Sequence, residues 1–347
     1  MSAATPARVD APGATRARAL RPRSAAGALV LLALLTLVAL VAAVAIGAAG
    51  IPLREVIAAL AGGGDDTTRA IVRDLRLPRA LLAAMTGGAL ALAGAVFQAL
   101  LRNPLAEPYV LGVSGGAAVG AVAAIVLGIA ALSPWVVPVA ALIGALVAIA
   151  IVFRIAAAAG RVLDTRVLLL AGVIVGAFFN AVILLLLTFA EAESFRSAVF
   201  WMMGSLSSAS WSAVALLAVY LLPAGLVLLG LARPLNLLAV GEETALHLGV
   251  RVERVKLVAY FVASLLVAAS VAACGVIGLI IPHALRLAWS SDHRFLLPGS
   301  LLAGAAFLLI ADTAARTLAA PAELPVGVIT ALIGVPVFVV LLARRRV

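Results

Sequence analysis

The chain is poor in nearly everything a water-facing domain displays. Charged residues make up 12% of its 347 positions, about half the share usual in soluble proteins. Lysine is almost missing, since all but one of the 25 basic residues are arginine. The exception, Lys256, follows Val255, so the phosphate-cradling G-x-x-x-x-G-K-[ST] loop cannot be present and the chain cannot split ATP through one. Cysteine is represented by Cys274 alone, inside an apolar run. An intrachain disulfide is therefore excluded, and a buried structural thiol is the reading that remains.

Polar side chains within the apolar runs are also few: Gln98, Asn180, His283, Arg286, Asp312 and Arg316. A carrier driven by an ion gradient needs ionisable groups near the membrane midplane. Asp312 and Arg316 instead fall one turn apart near the end of their run, the spacing of a local ion pair. His283 follows Pro282 beside an expected kink, where a structural role is the simpler reading. The driving energy must come from elsewhere.

What is abundant is hydrocarbon. With 65% hydrophobic residues and a mean hydropathy of +1.24, this is a polytopic membrane protein, and runs such as Val167 to Phe189 lack the alternation of a barrel strand. The fold class is all-α. Ten spans are predicted, at about 27–49, 80–101, 115–132, 135–153, 167–189, 212–232, 255–274, 276–289, 299–318 and 326–343. Residues 1–25 read as a disordered cytoplasmic tail, and 26–347 as a single transmembrane domain embedded in lipid. Placing the N-terminus inside leaves only Arg54, Arg69, Arg73, Arg76, Arg79, Arg196 and Arg316 outside, which favours both termini in the cytoplasm. The net charge of +10 is then a topology signal, and nucleic-acid binding is not needed to explain it.

Between the spans, several segments stand out. Gly112, Gly116 and Gly120, like Gly172 and Gly176, recur at the four-residue spacing that lets helix backbones touch. Ala190 to Trp211 is too short and too polar at its ends to span, and predicts a short helix at the outer mouth. Residues 233–256 form the one sizeable inner loop. Within it GEETALHLG opens on Gly241, sets Glu242 and Glu243 in a first turn that favours carboxylates, and stops at Gly249. A capped helix offered to the cytoplasm suits an ATPase partner. The tetrapeptide Gly112-Val113-Ser114-Gly115 also matches the nucleophile motif of rhomboid proteases, with His283 as a conceivable base.

Taken together, the motifs resemble the FecCD-type permease family, the membrane subunits of ABC importers for ferric siderophores, haem and cobalamin. They are RLPR (Arg76 to Arg79), G-A-x-x-Q-A-L-x-R-NPLAEP-x-x-LG-x-S-x-GA (Gly94 to Ala117), W-M-x-GS (Trp201 to Ser205), RPLNLLAVGEETALHLGV (Arg233 to Val250), GLIIPHALR, DHRFLLPGSLLAGA, LIADTAAR, and ELPVG followed by G-x-P-x-F (Glu323 to Phe338). The resemblance implies a type II ABC importer permease fold, a homodimer, two cytoplasmic ATP-binding subunits and a periplasmic substrate-binding protein, with no cofactor or metal site.

Carried over by residue, it implies docking of the binding protein at Arg76, Arg79 and Arg316, and ATPase coupling at Gly241, Glu242, Glu243, Ala245, Leu246 and Gly249. The expected pore and mouth residues are Asn180, Arg196 and Trp201. The segment Ala272 to Ile277 departs from the family pattern, which leaves its local geometry open. The sequence thus reads as a permease for an iron chelate, siderophore or haem, in the inner membrane, and not as an enzyme. A cobalamin permease, an ion-coupled carrier and a rhomboid-like protease are the other readings.

Overall fold

The computed structural model describes residues 22–343, apart from 48, 161–163, 279–280 and 321. The expected tail therefore lies, up to residue 21, outside the described residues, as do Arg344 to Arg346. Among the described residues there is no strand, as hydrocarbon demands of a chain that does not close into a barrel. In chain order the helices are α1 (Pro22–Ala45), α2 (Leu53–Ala61), α3 (Asp66–Ala70), α4 (Leu77–Leu100), α5 (Val113–Val126), α6 (Val136–Ala158), α7 (Thr165–Thr188), α8 (Ala192–Met202), α9 (Trp211–Gly230), α10 (Ala232–Val240), α11 (Glu242–His247), α12 (Val252–Cys274), α13 (Ile281–Ala288), α14 (His293–Thr317) and α15 (Val326–Ala343). A π turn, Ile71–Arg76, joins α3 to α4 in one rod, Asp66–Leu100.

Among the described residues, 7 helices are long and apolar enough to cross a membrane, and α5 and Val326–Val337 of α15 are shorter apolar helices. The expected third and fourth spans are two separate helices, parted by Gly128 (φ +73°) and a 3₁₀ turn, Ile129–Leu132. The stretch 276–289, expected as a short eighth span holding Pro282, is corrected: it is broken. α12 stops at Cys274, Gly275 takes φ +74°, residues 275–278 are not helical, and α13 begins at Ile281. The departure noted at Ala272 to Ile277 thus falls on the end of one helix and an unwound segment.

The rod is the axis of the bundle. Of its most apolar stretch 83% is buried, against 28% for α1. α14 runs along it so closely that a Cβ on either Gly87 or Gly304 would strike the other's carbonyl oxygen. α5 and α6 cross in the same way at Gly116 and Gly144, and Gly120 sits against the Ala140 carbonyl. Gly172 lies under the carbonyl of Val110, so these glycines serve close packing, while a Cβ on Gly176 would meet nothing within 4 Å. Without a hydrophobic force between helices in lipid, such approaches supply the dispersion that holds the bundle. Outward faces carry Leu34 and Val38 of α1, Ile143 and Val147 of α6, and Leu222 and Leu226 of α9, all exposed in the manner of a lipid-facing surface.

One polar corner positions the loop region. Asp292 caps α14 by accepting from the Arg294 backbone N–H at 2.9 Å, and Asn236 of α10 donates to the same carboxylate at 2.7 Å. Asn236 Oδ1 in turn accepts from the His293 N–H at 2.8 Å. Burial pushes the Asp292 carboxyl up, but hydrogen bonds from Arg294 and Asn236 outweigh it and bring it down to about 2. The corner pins α10, and with it the following α11, to the end of α14.

The two kinds of glycine predict different outcomes. Gly87→Val should destabilise the detergent-solubilised protein by about 1–3 kcal/mol, the usual cost of overpacking, whereas Gly176→Ala should stay within about 0.5 kcal/mol. Thermal unfolding of the two variants beside the parent checks this, and equal melting of all three would contradict the close crossing of α4 and α14.

Candidate functional site

Three polar regions interrupt the apolar bundle: one at each end and one on its flank. At the end holding residues 43–49 and 312–323, charged groups from distant segments converge. The π turn brings Arg76 round to the C-terminus of α1, where its guanidinium donates to the carbonyls of Val44 (3.1 Å) and Ala45 (2.9 Å) and to that of Ala49. The first two are carbonyls of the kind a helix end leaves without partners. Arg316 reaches the same helix end, donating to the Ala43 carbonyl at 2.9 Å.

Arg316 also forms the ion pair with Asp312 that the i, i+4 spacing predicts, at 3.2 Å. Arg79 joins it from α4, its Nε and Nη2 lying 3.0–3.2 Å from the Asp312 carboxylate while Nη1 contacts Glu323 at 2.9 and 3.0 Å. Asp312 is 1% exposed and holds two guanidiniums. Its removal would strand both, the costly way to break a buried ion pair.

The three arginines expected to receive a partner's acids are thus brought together, but each is engaged by its own chain. Arg76 and Arg316 are 5% and 7% exposed. Arg79 and Glu323 line a cavity of about 300 Å³ at this end, together with Arg76, Arg316, Ser207 and Ala209. Glu323 is its exposed acid, with 44% of its side chain open.

The opposite end carries α10 and α11. Gly241 starts α11, Glu242 and Glu243 lie in its first turn, and Gly249 takes φ +82° just beyond it. The Val250 N–H bonds to the Ala245 carbonyl (3.0 Å) and the Gly249 N–H to that of Leu246 (2.9 Å), the paired bonds of a Schellman stop. Ala245 is fully buried and seats the helix. Leu246, Leu248 and Val240 stand exposed beside the exposed Glu243. Glu242 turns inward, its Oε1 3.1 Å from Lys256 and 3.6 Å from Arg102. These three line a wide cleft of about 1040 Å³ that runs to Asp164 and Arg166 at the start of α7.

The third region lies on the flank. Asn103, Glu107, Ser114 and Asn180 line a cavity of about 520 Å³ floored by Gly112, Gly172 and Gly176. Of the expected mouth residues only Asn180 belongs to it. Arg196 is on the exposed face of α8, 4.0 Å from Glu193, and Trp201 is half-buried at the end of that helix. His283 does not line the cavity that holds Ser114 and is 1% exposed, so the imagined protease pair is not brought together there.

Above this cavity Tyr109 does something the sequence did not announce. Its hydroxyl donates to the Ile277 carbonyl at 2.6 Å and accepts from the Ile277 N–H at 3.0 Å, pairing both backbone groups of a residue in the unwound segment. Sequence reading also missed Arg102, Glu323 and Lys256 as partners. For Lys256 a signal existed, because a single lysine at the start of an apolar run calls for an acidic partner, and Glu242 lies one short helix upstream. For Tyr109 there was none, since 168 positions separate it from Ile277.

Comparison with known proteins agrees with this architecture. The description of the FecCD transport family matches residues 34–344. The cobalamin import system permease protein BtuC of Halobacterium salinarum is 46% identical over 297 residues, which is 84% of this chain and 78% of that protein. The vitamin B12 import system permease protein BtuC of Citrobacter koseri is 45% identical over 278 residues, 79% of this chain and 83% of that one. A Bacillus subtilis ABC transporter permease protein, YvrB, uncharacterized, is 41% identical over 290 residues, 82% of each. A solved structure assigned to the metal-chelate type of ABC transporter, in an inward-facing conformation, superposes with a TM-score of 0.82 at 34% identity, covering 92% of this chain and 99% of that one. The match takes in nearly every described helix, and the chain belongs to the FecCD transport family, as a multi-pass membrane permease of an ABC importer and not an enzyme.

Proposed function

We propose that two copies of this chain enclose a path through the cytoplasmic membrane, with an ATP-binding subunit beneath each copy and a periplasmic substrate-binding protein above, and with both termini in the cytoplasm. The observation that carries the reading is α11. It is a tightly stopped helix outside the bundle, seated by Ala245, that presents Leu246, Leu248 and Val240 to water. Apolar side chains clustered at a polar end of a membrane protein mark a surface that a partner covers. The path itself draws support from the flank cavity and from the exposed apolar faces of α7 (Val173, Phe178) and α15 (Leu332, Val335), which a second copy would cover. Closure of the ATP-binding subunits would push on α11 and switch the side to which the path opens.

At the other end, acids of the binding protein would meet Arg79, where Glu323 holds a place that an incoming carboxylate can take. Arg76 and Arg316 then support the site from behind by fixing α1 and Asp312.

For the cargo, the flank cavity is the guide. Its lining offers amides (Asn103, Asn180), hydroxyls (Ser114, Tyr109) and one carboxylate (Glu107), and among the described residues no cation. A polyanionic chelate would meet like charge and no counter-ion there, while an amide-rich chelate without net negative charge would meet matching groups. A corrinoid of the cobalamin kind fits best, in keeping with the cobalamin and vitamin B12 relatives. An iron chelate is the second reading, favoured by the metal-chelate structural relative. A siderophore without net negative charge suits this cavity better than haem with its two propionates.

Two outcomes are expected. Leu246→Ser should weaken capture of the purified ATP-binding subunit roughly thirtyfold, the loss typical of an interface hot spot; unchanged capture would remove α11 from that interface. In proteoliposomes holding the assembled importer, labelled cyanocobalamin should accumulate with ATP and binding protein present, and an imposed proton gradient without ATP should give no uptake. Uptake of haem or a tris-catecholate iron chelate in preference to cyanocobalamin would overturn the cargo assignment.

A further inference from the structure

We propose that the loop of residues 101–112 is a rigid link that carries movement of α11 to the unwound segment at Gly275 to Gly278, with Arg102 and Tyr109 as its two attachment points. The proposal rests on the reading that an ATP-binding subunit moves α11, and deepens it by naming residues that pass the movement on.

The near attachment is Arg102. Among the described residues it is the only non-glycine with positive φ, at +47°. It sits just past Leu101 at the C-terminus of α4, the place where a left-handed residue ends a helix. From there its side chain faces Glu242, the first residue of α11, whose carboxylate lies 3.6 Å from Arg102 and 3.1 Å from Lys256 of α12.

The body of the loop is stiff. Pro104 and Pro108 fix two of its φ angles. Asn103 Oδ1 accepts from the Leu105 N–H at 2.9 Å, Gln98 Nε2 donates to the Ala106 carbonyl at 3.3 Å, and successive turns bond Ala106 to Asn103, Val110 to Glu107 and Gly112 to Tyr109. A segment tied at this density moves as a unit.

The far attachment is the Tyr109 hydroxyl, which satisfies both backbone groups of the fully buried Ile277. The unwound segment is in turn locked to two other elements. The Ser205 N–H, just past α8, donates to the Cys274 carbonyl at 2.9 Å. Gly204 and Gly327 lie so near the Val276 carbonyl that neither has room for a Cβ. Displacing Ile277 therefore displaces the end of α8 and the start of α15. The link also bears on the flank cavity directly, since Asn103, Glu107 and Tyr109 line it.

The test uses the full complex with its ATP-binding subunit in proteoliposomes. A reporter, Asn180→Cys, is read by the rate of thiol labelling in the flank cavity with and without trapped ATP; the native Cys274 is buried. The reporter alone should change its labelling rate at least about fivefold on trapping, the lower range of an allosteric coupling. Adding Tyr109→Phe, or Arg102→Ala, should abolish that change while ATP hydrolysis by the attached subunit continues, and Arg102→Lys should restore most of it. The two cuts together should be no worse than one, as expected of two attachments in series. A reporter blind to nucleotide before either cut would sink the reading of α11 as the driven element. A responsive reporter whose response survives both cuts, or losses that multiply, would sink the link alone. Arg102 is half exposed, so its variants keep the test open should Tyr109→Phe fail to assemble.

Discussion

In hydrocarbon a backbone N–H or C=O without a partner is costly, and two irregular places of this fold show how that constraint is met. Where α1 ends, Arg76 and Arg316 supply donors to the carbonyls of Ala43, Val44 and Ala45. Where the span after α12 breaks, a phenol from a distant loop supplies a donor and an acceptor to one residue. Irregular backbone at membrane depth is tolerated where protein surrounds it. The end of α1 and the segment after α12 are both places where the irregular backbone meets functional candidates, Arg76 and Arg316 at the first and Tyr109 at the second.

The same logic explains why so few polar residues are enough. Asp312 satisfies Arg79 and Arg316 and, through them, binds α14 to α4 and α1. The pairing is buried, so it adds little net stability relative to apolar packing, but it strongly disfavours any arrangement that separates the partners. Close glycine crossings do the rest of the work of cohesion. They let α4 and α14 behave as one body.

Much of this was legible in the sequence because it is local. Helical class follows from composition, α11 from its glycines and paired glutamates, α8 from a polar interruption, and the Asp312–Arg316 pair from its spacing. What escaped is what spacing cannot express. The departure at Ala272 to Ile277 marked the place without giving its conformation, because its residues are apolar, and only the backbone shows that 275–278 are not helical. The inward commitment of Arg76, Arg79 and Arg316 escaped for a related reason: a sequence gives the charge of an arginine but not the direction in which it points. Glu242 reads as an exposed acid on an exposed helix, yet the structure turns it towards Lys256 and Arg102.

The continuous rod has a geometric corollary. At 1.5 Å per residue its 35 residues extend about 50 Å, well beyond a hydrocarbon slab of about 30 Å. The rod is thus about 20 Å longer than one crossing needs, and α2 packs against its amino-terminal turns, Asp66 to Arg76. A single helix of that length carries Arg76 and Arg79 as one piece with the buried core of α4, so a displacement at either arginine is felt along the whole rod.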